Sequence, residues 1–190
     1  MGADTLSALT TPSGNDPLIC LYDTRTESHF LMKINADLSY TVASNVLGSR
    51  KMRSICFKDN KVYMCTPSNG STGPVIRTVA INSDGTFGNA EETPITSLSH
   101  TATGYTYAEV YTNGTTVFGA FGYNDSSHEV EFFSLNGISY TKIKTVSGLP
   151  LGIVTYDAVR NRFVSIRGGN NPEFYVSENG VDWVSKGSVP

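Results

Sequence analysis

The chain has 190 residues, of which 39% are apolar and 16% charged, and a formal net charge of −3. That balance belongs to a folded globular protein and excludes a disordered one, which would be poorer in apolar residues and richer in charge. The 14 Lys and Arg are spread along the chain, which excludes the basic stripe a nucleic-acid surface demands, and no apolar run approaches the roughly 20 residues of a membrane-spanning helix.

The start, MGADTLSALTTPSGND, has no charged stretch leading into an apolar one, so neither a Sec signal nor an anchor is expected. With 18 Gly, 10 Tyr and 9 Phe among many Thr, Ser, Val and Asn, the vocabulary is one of strands and tight turns, and an all-β chain forming one domain over 1–190 is expected. In chain order, DTLSALTTPSGNDPLICLY reads as a hairpin turning near Gly14–Asn15, followed by the strand HFLMKI (29–34) and the turn INADLSY ending at Tyr40. Next come the hairpin RSICFKDNKVYMC turning at Asp59–Asn60, the strand VIRTVAI (75–81) and the turn INSDGTF, with Asp84, Gly85 and Phe87. A third set follows: YAEVYTNGTTVFGAF turning at Asn113–Gly114, the strand EVEFF (129–133) and SLNGISY, with Asn136, Gly137 and Tyr140. The last set is GIVTYDAVRNRFVSI turning near Arg160–Asn161, the strand EFYV (173–176) and SENGVDW, with Ser177, Asn179, Gly180 and Trp183.

The four turn aromatics fall 47, 53 and 43 residues apart. A period of that size with four strands in each unit predicts a small β-propeller of four antiparallel blades, over about 5–48, 53–98, 105–148 and 150–190. Asn-Gly and Asp-Gly suit the positive φ of such turns, and each aromatic is expected to fold into the gap between neighbouring blades. A β-sandwich is the alternative, but nothing in it requires the same turn chemistry four times. Four units also permit an incomplete propeller closed by a second copy. The hairpin at Asp59–Asn60 sets Cys56 opposite Tyr63 and Cys65 opposite Ser54, so the two thiols are diagonal; with Cys20 distant in sequence, buried reduced thiols are expected rather than disulfides.

The stretch NRFVSIRGGNNPEFYVSENGVDWVSKGSVP resembles a BNR or Asp-box repeat, Ser-X-Asp-X-Gly-X-Thr-Trp, and is similar to the degenerate repeats of phage tail and virion-associated proteins. Ser177, Asn179, Gly180 and Trp183 hold the matching places, with Asn for Asp and one residue fewer; Ser83, Asp84, Gly85 and Phe87 match in part. The resemblance implies a propeller and, in a virion tail, a non-enzymatic structural or adhesive module that docks a neighbouring subunit, a symmetric oligomer or a host-surface glycan. The alternative it implies is a lectin-like module or a fragment of a sialidase-type glycosidase.

Sialidases of that fold use three Arg on a carboxylate, a Tyr–Glu nucleophile pair and an acid. The seven Arg here (Arg25, Arg50, Arg53, Arg77, Arg160, Arg162, Arg167) include none in the "RIP"-type segment that opens such domains, and four units fall short of the six blades they need, so no catalytic residues are expected. His29 and His128 occupy equivalent strand-end places, too far apart in a four-fold array to share a metal, and Asp59, Asp84, Asp125 and Asp157 read as turn caps. No cofactor and no metal are expected. The polar loops 68–73 and 168–171 lack the Lys and following helix of a phosphate cradle. Among the aromatics of the third unit, Tyr123, beside the loop NDSSH, is the one expected to be exposed for binding.

Overall fold

The computed structural model describes residues 3–10, 18–23, 28–35, 37–43, 54–69, 71–123, 128–167 and 172–188. The first sheet comprises β1 (Ala3–Thr10), β2 (Leu18–Asp23), β3 (Ser28–Ile34) and β4 (Tyr40–Ala43). The second holds β5 (Ser54–Lys58), β6 (Lys61–Thr66), β7 (Val75–Ile81) and β8 (Phe87–Pro94). After a 3-10 turn at Ala102–Gly104, the third holds β9 (Tyr105–Thr112), β10 (Val117–Tyr123), β11 (Val130–Asn136) and β12 (Ser139–Val146). The fourth holds β13 (Ile153–Asp157), β14 (Arg162–Arg167), β15 (Glu173–Ser177) and β16 (Val184–Ser188). Each sheet is an antiparallel meander whose strands lie in chain order. Four separate four-stranded sheets exclude the sandwich, in which two larger sheets would face each other.

Local chemistry accounts for the hairpins. Asp59 and Asn60 have φ of +50° and +55°, the paired positive values a two-residue turn needs, and Asn tolerates them better than most residues. The resulting register sets Cys56 against Tyr63 and Ser54 against Cys65, as the spacing predicts, and both described thiols are free. The turn after β9 is longer than a bare Asn-Gly pair: Thr112 pairs with Val117, and the Asn113 side chain accepts the Thr115 and Thr116 amides at 3.0 and 2.8 Å. The expected bend at Gly14–Asn15 lies outside the described residues.

Three apolar layers join the sheets. Leu31 of the first sheet packs with Ile55, Val62, Met64 and Val79 of the second. The opposite face of the second sheet, with Cys56, Tyr63, Cys65 and Ile76, meets Tyr105, Val110, Phe121 and Phe133 of the third. Tyr111, Phe118, Ala120 and Phe132 carry the third sheet onto Phe163, Tyr175 and Val181 of the fourth. The period of two makes this possible: alternate residues serve alternate neighbours, apart from bulges such as the one near Tyr105 in β9. The first strands β1, β5, β9 and β13 accordingly lie side by side in succession. Among the described residues no comparable packing joins β13 back to β1, so a closed four-bladed ring is not seen there.

Candidate functional site

The repeated turns are built on carboxylate or amide oxygens that stand in for a backbone acceptor. In the second sheet, Asp84 Oδ1 takes the Thr86 amide at 2.9 Å and the Thr86 hydroxyl at 2.7 Å, while Asn82 Nδ2 donates to Thr86 Oγ1 at 2.9 Å. The first sheet repeats this bond for bond: Asp37 Oδ1 accepts from Ser39 N and Oγ at 3.0 and 2.6 Å, and Asn35 Nδ2 donates to Ser39 Oγ at 2.9 Å. These bonds hold the Asp84 and Asp37 carboxyls below their ordinary range. In the fourth sheet, Asn179 Oδ1 takes the amides of Val181 and Asp182 at 3.0 and 2.8 Å, and Ser177 Oγ accepts the Gly180 amide at 2.9 Å. Gly85 and Gly180 have nearly the same φ, +81° and +82°. The third turn is different. Asn136 pairs with Ser139 across a two-residue bend led by Gly137 at φ +59°, and the Gly137 amide is taken from outside the turn, by the Tyr63 hydroxyl of the second sheet at 3.2 Å. Asn35, Asn82, Ser39 and Thr86, which complete two of the four turns, carry a signal the aromatic spacing does not: an Asn-X-Asp-X-Ser/Thr pattern.

Three of the four turn aromatics enter the gaps expected of them. Phe87 packs on the layer containing Leu31. Tyr140 crosses to the second sheet's end, where its hydroxyl accepts the Thr96 amide at 2.8 Å. Trp183 meets Tyr111 edge to face at 6.2 Å. Tyr40 does not: 68% of its surface is exposed, because the sheet that would cover it is absent from its side of the array.

At the opposite end of the sheets from these turns, a cleft of about 200 Å³ opens between the third and fourth sheets, with Tyr107, Tyr123, His128, Glu129, Pro150 and Arg167 in its wall. Tyr123 is therefore at a surface cleft but is not a free aromatic. It is half-buried, its ring stacks on His100 with centroids 4.3 Å apart, and a methyl group on Gly104 would lie 2.1 Å from it. His100 is in turn paired with Glu129 at 2.7 Å.

A buried network fixes this corner. Glu131, fully buried, accepts the Ser99 amide at 2.9 Å and the Tyr105 hydroxyl, and pairs with Lys142, whose ammonium also donates to Ser99 Oγ at 2.7 Å. Burial and the bond to Glu131 push the Tyr105 hydroxyl well above its ordinary value, so it keeps its proton. This is a Tyr–Glu pair with no route to solvent for the tyrosine oxygen, Tyr105 being fully buried. The described arginines do not converge either: Arg77 pairs with Glu92, Arg160 and Arg162 with Asp157, and Arg167 with Glu173. Arg25, Arg50 and Arg53 lie outside the described residues, as do Asp125 and the side chain of His29. Among the described residues no group of three His, Cys, Asp or Glu is placed to hold a metal, and no helix is long and apolar enough to cross a membrane. Glu129, Glu131 and Lys142 come from one hairpin of the third sheet, and the folding of the 95–104 connection over it adds Ser99 and His100.

No protein-family model matches the chain, and no curated protein does. Solved structures do. A chain in the crystal structure of a nidogen/laminin complex superposes with a TM-score of 0.54 at 14% identity, over 86% of this chain. A protein from Lactobacillus plantarum gives a TM-score of 0.42 at 12% identity, over 91% of this chain and 69% of its own. The present chain spans 59% of the length of the matched chain in the nidogen/laminin complex. Together with four successive four-stranded meanders, that likeness makes the fold all-β and propeller-like.

Proposed function

We propose that the protein is a non-enzymatic docking module, structural or adhesive, of the kind found in virion tails, which presents its loop faces to a neighbouring protein subunit. The observation that carries this reading is the succession of four-stranded sheets packed face to face, with loops at both ends. Among the described residues Tyr105 meets Glu131 fully buried and bound to Lys142, and Tyr175 meets Glu173 part-buried, beside Arg167. The remaining architecture is rigid sheets with loops at both ends, which suits recognition rather than turnover. The virion setting rests on the similarity of the Ser177–Trp183 turn to degenerate Asp-box repeats, and its Asn-capped geometry is compatible with that similarity. The shared fold also occurs in a nidogen/laminin complex, where it belongs to a protein assembly.

A second reading, glycan binding, is favoured by the cleft between the third and fourth sheets, where aromatic and polar side chains converge as sugars require. A glycan array separates the two readings. Silence across the array is expected for protein docking; competable binding to one sugar that is lost in Tyr123→Ala establishes the second reading. Turnover of a fluorogenic sialoside would overturn both.

A further inference from the structure

The sheets form an arc with two unlike open faces. On the first sheet, Ile34 pairs with Tyr40 and Met32 with Val42, so these four side chains share the face opposite to buried Leu31. On the fourth, Ile153 pairs with Ile166, Val164 with Val176 and Val176 with Val184, so these residues share the face opposite to buried Phe163 and Tyr175. Tyr40 is 68% exposed, Ile153 76% and Val184 56%. Apolar side chains recur on both faces among the described residues, and the counterparts of these faces in the second and third sheets are covered. The fourth sheet's open face also carries a groove of about 370 Å³ whose lining includes Arg162, Val176, Glu178, Asp182, Val184 and Lys186.

Each junction inside the chain follows one rule. The turn-bearing face of a sheet lies on the preceding sheet, with its aromatic in the gap and a lysine of the preceding sheet over its turn. The Lys33 ammonium lies over Gly85 and draws the Asp84 carboxyl down; the Lys61 ammonium is 3.6 Å from where a Gly137 methyl would stand; Lys144 pairs with Asp182. The two open faces are the two halves of one more such junction. The first sheet supplies the aromatic, Tyr40, and an acidic turn at Asp37; the fourth supplies apolar side chains and, in the groove, Lys186, with Arg162 held by Asp157 and Asp182 held by Lys144.

We propose that two copies of the chain join head to tail, the Tyr40 face of one packing on the Ile153–Ile166–Val184 face of the other, with Tyr40 in the groove and Asp37 opposite Lys186. The contact is heterologous: its two sides are different surfaces, and it repeats an interface the chain makes three times internally. It does not depend on what the loop faces bind.

Sedimentation velocity of the purified chain over a concentration series tests this. Association beyond the monomer is expected. Tyr40→Asp and Ile153→Glu, each at an exposed side chain, are expected to weaken association by roughly tenfold or more through burial of an unpaired charge, with circular dichroism unchanged. Because each variant spoils a different side, an equimolar mixture of the two is expected to form a species of two chains and no larger. Asp37→Lys or Lys186→Asp alone is expected to weaken association and the double swap to restore it. A wild-type monomer throughout the series overturns the proposal and leaves the faces to further sheets of a longer polypeptide. A monomer whose melting temperature falls in Tyr40→Asp also overturns it, by showing closure within one chain. Association indifferent to these variants, or a mixture that stays monomeric, overturns it as well.

Discussion

Asp84 and Asn179 stand at the same point of two turns, each accepting hydrogen bonds from the residues that follow, and they differ in one respect: only the first can be protonated. Bonds from Thr86 hold the Asp84 carboxyl below its ordinary range. A carboxyl depressed in the folded state stabilises that state above its unfolded pKa, and the contribution is lost as pH falls through the folded value, here below about pH 4. Asp84→Asn, which keeps the acceptor as Asn179 does, is expected to leave the neutral-pH melting temperature almost unchanged and to reduce its fall in acid; thermal melts from pH 7 to pH 2 measure it. Gly180 is a stricter case. Its φ of +82° already disfavours a side chain, and a methyl group there would lie 3.1 Å from both Phe118 and Phe163. Its carbonyl also accepts the Tyr111 hydroxyl at 2.6 Å, so backbone adjustment would break a bond between sheets. Gly180→Ala is expected to cost about 1–3 kcal/mol in urea denaturation.

Within single elements, much of this architecture is legible in the residues. The strand VIRTVAI is β7 end to end, and the Asp59–Asn60 bend sets the cysteine register because two-residue turns admit little slip. What single elements cannot disclose is which groups from distant segments share a site. The Tyr123 corner depends on the 95–104 connection, held by Glu131 through Ser99, Tyr105 and Lys142. No local pattern marks Glu131 as a network centre: the alternation of VEFFSLN sets it on the face of Phe133 and Leu135, where it is fully buried. Its partners make that burial tolerable, since a buried charge must be paired and bonded. Glu131→Gln keeps the shape but leaves the Lys142 ammonium without its counter-charge, and Lys142 is part-exposed and can recover water. A loss of roughly 1–3 kcal/mol is therefore expected, with faster hydrogen exchange at the Ser99 amide as the local signature.

Across the whole molecule, the order of the sheets decides where unfolding begins. Each sheet packs on its chain neighbours, so stability is close to a sum of intrinsic terms and nearest-neighbour junctions, as in repeat proteins. The second and third sheets are covered on both faces, whereas the fourth exposes Ile153, Ile166 and Val184 on its open side. The periodicity of each strand shows which residues share a face but not whether another sheet covers it, which is why the open ends of the arc are not legible in the sequence. Two native probes report on different junctions. Trp183 lies between the third and fourth sheets, beside Tyr111; Cys56 and Cys65 lie between the second and third, both fully buried or nearly so, with burial raising their thiol pKa values. A raised pKa and exclusion from solvent both suppress alkylation, since the thiolate is the reactive form. In a urea series, Trp183 fluorescence is expected to change at a lower midpoint than the appearance of alkylated Cys56 and Cys65, quantified peptide by peptide in a mass spectrometer so that Cys20 is scored apart. Separate midpoints mean that the fourth sheet leaves first while the inner pair stays joined. If the chain assembles head to tail, raising its concentration is expected to move the Trp183 midpoint toward the thiol midpoint, because a second copy then covers the face from which unfolding starts. Coincident midpoints at every concentration would show instead that all four sheets unfold as one cooperative unit.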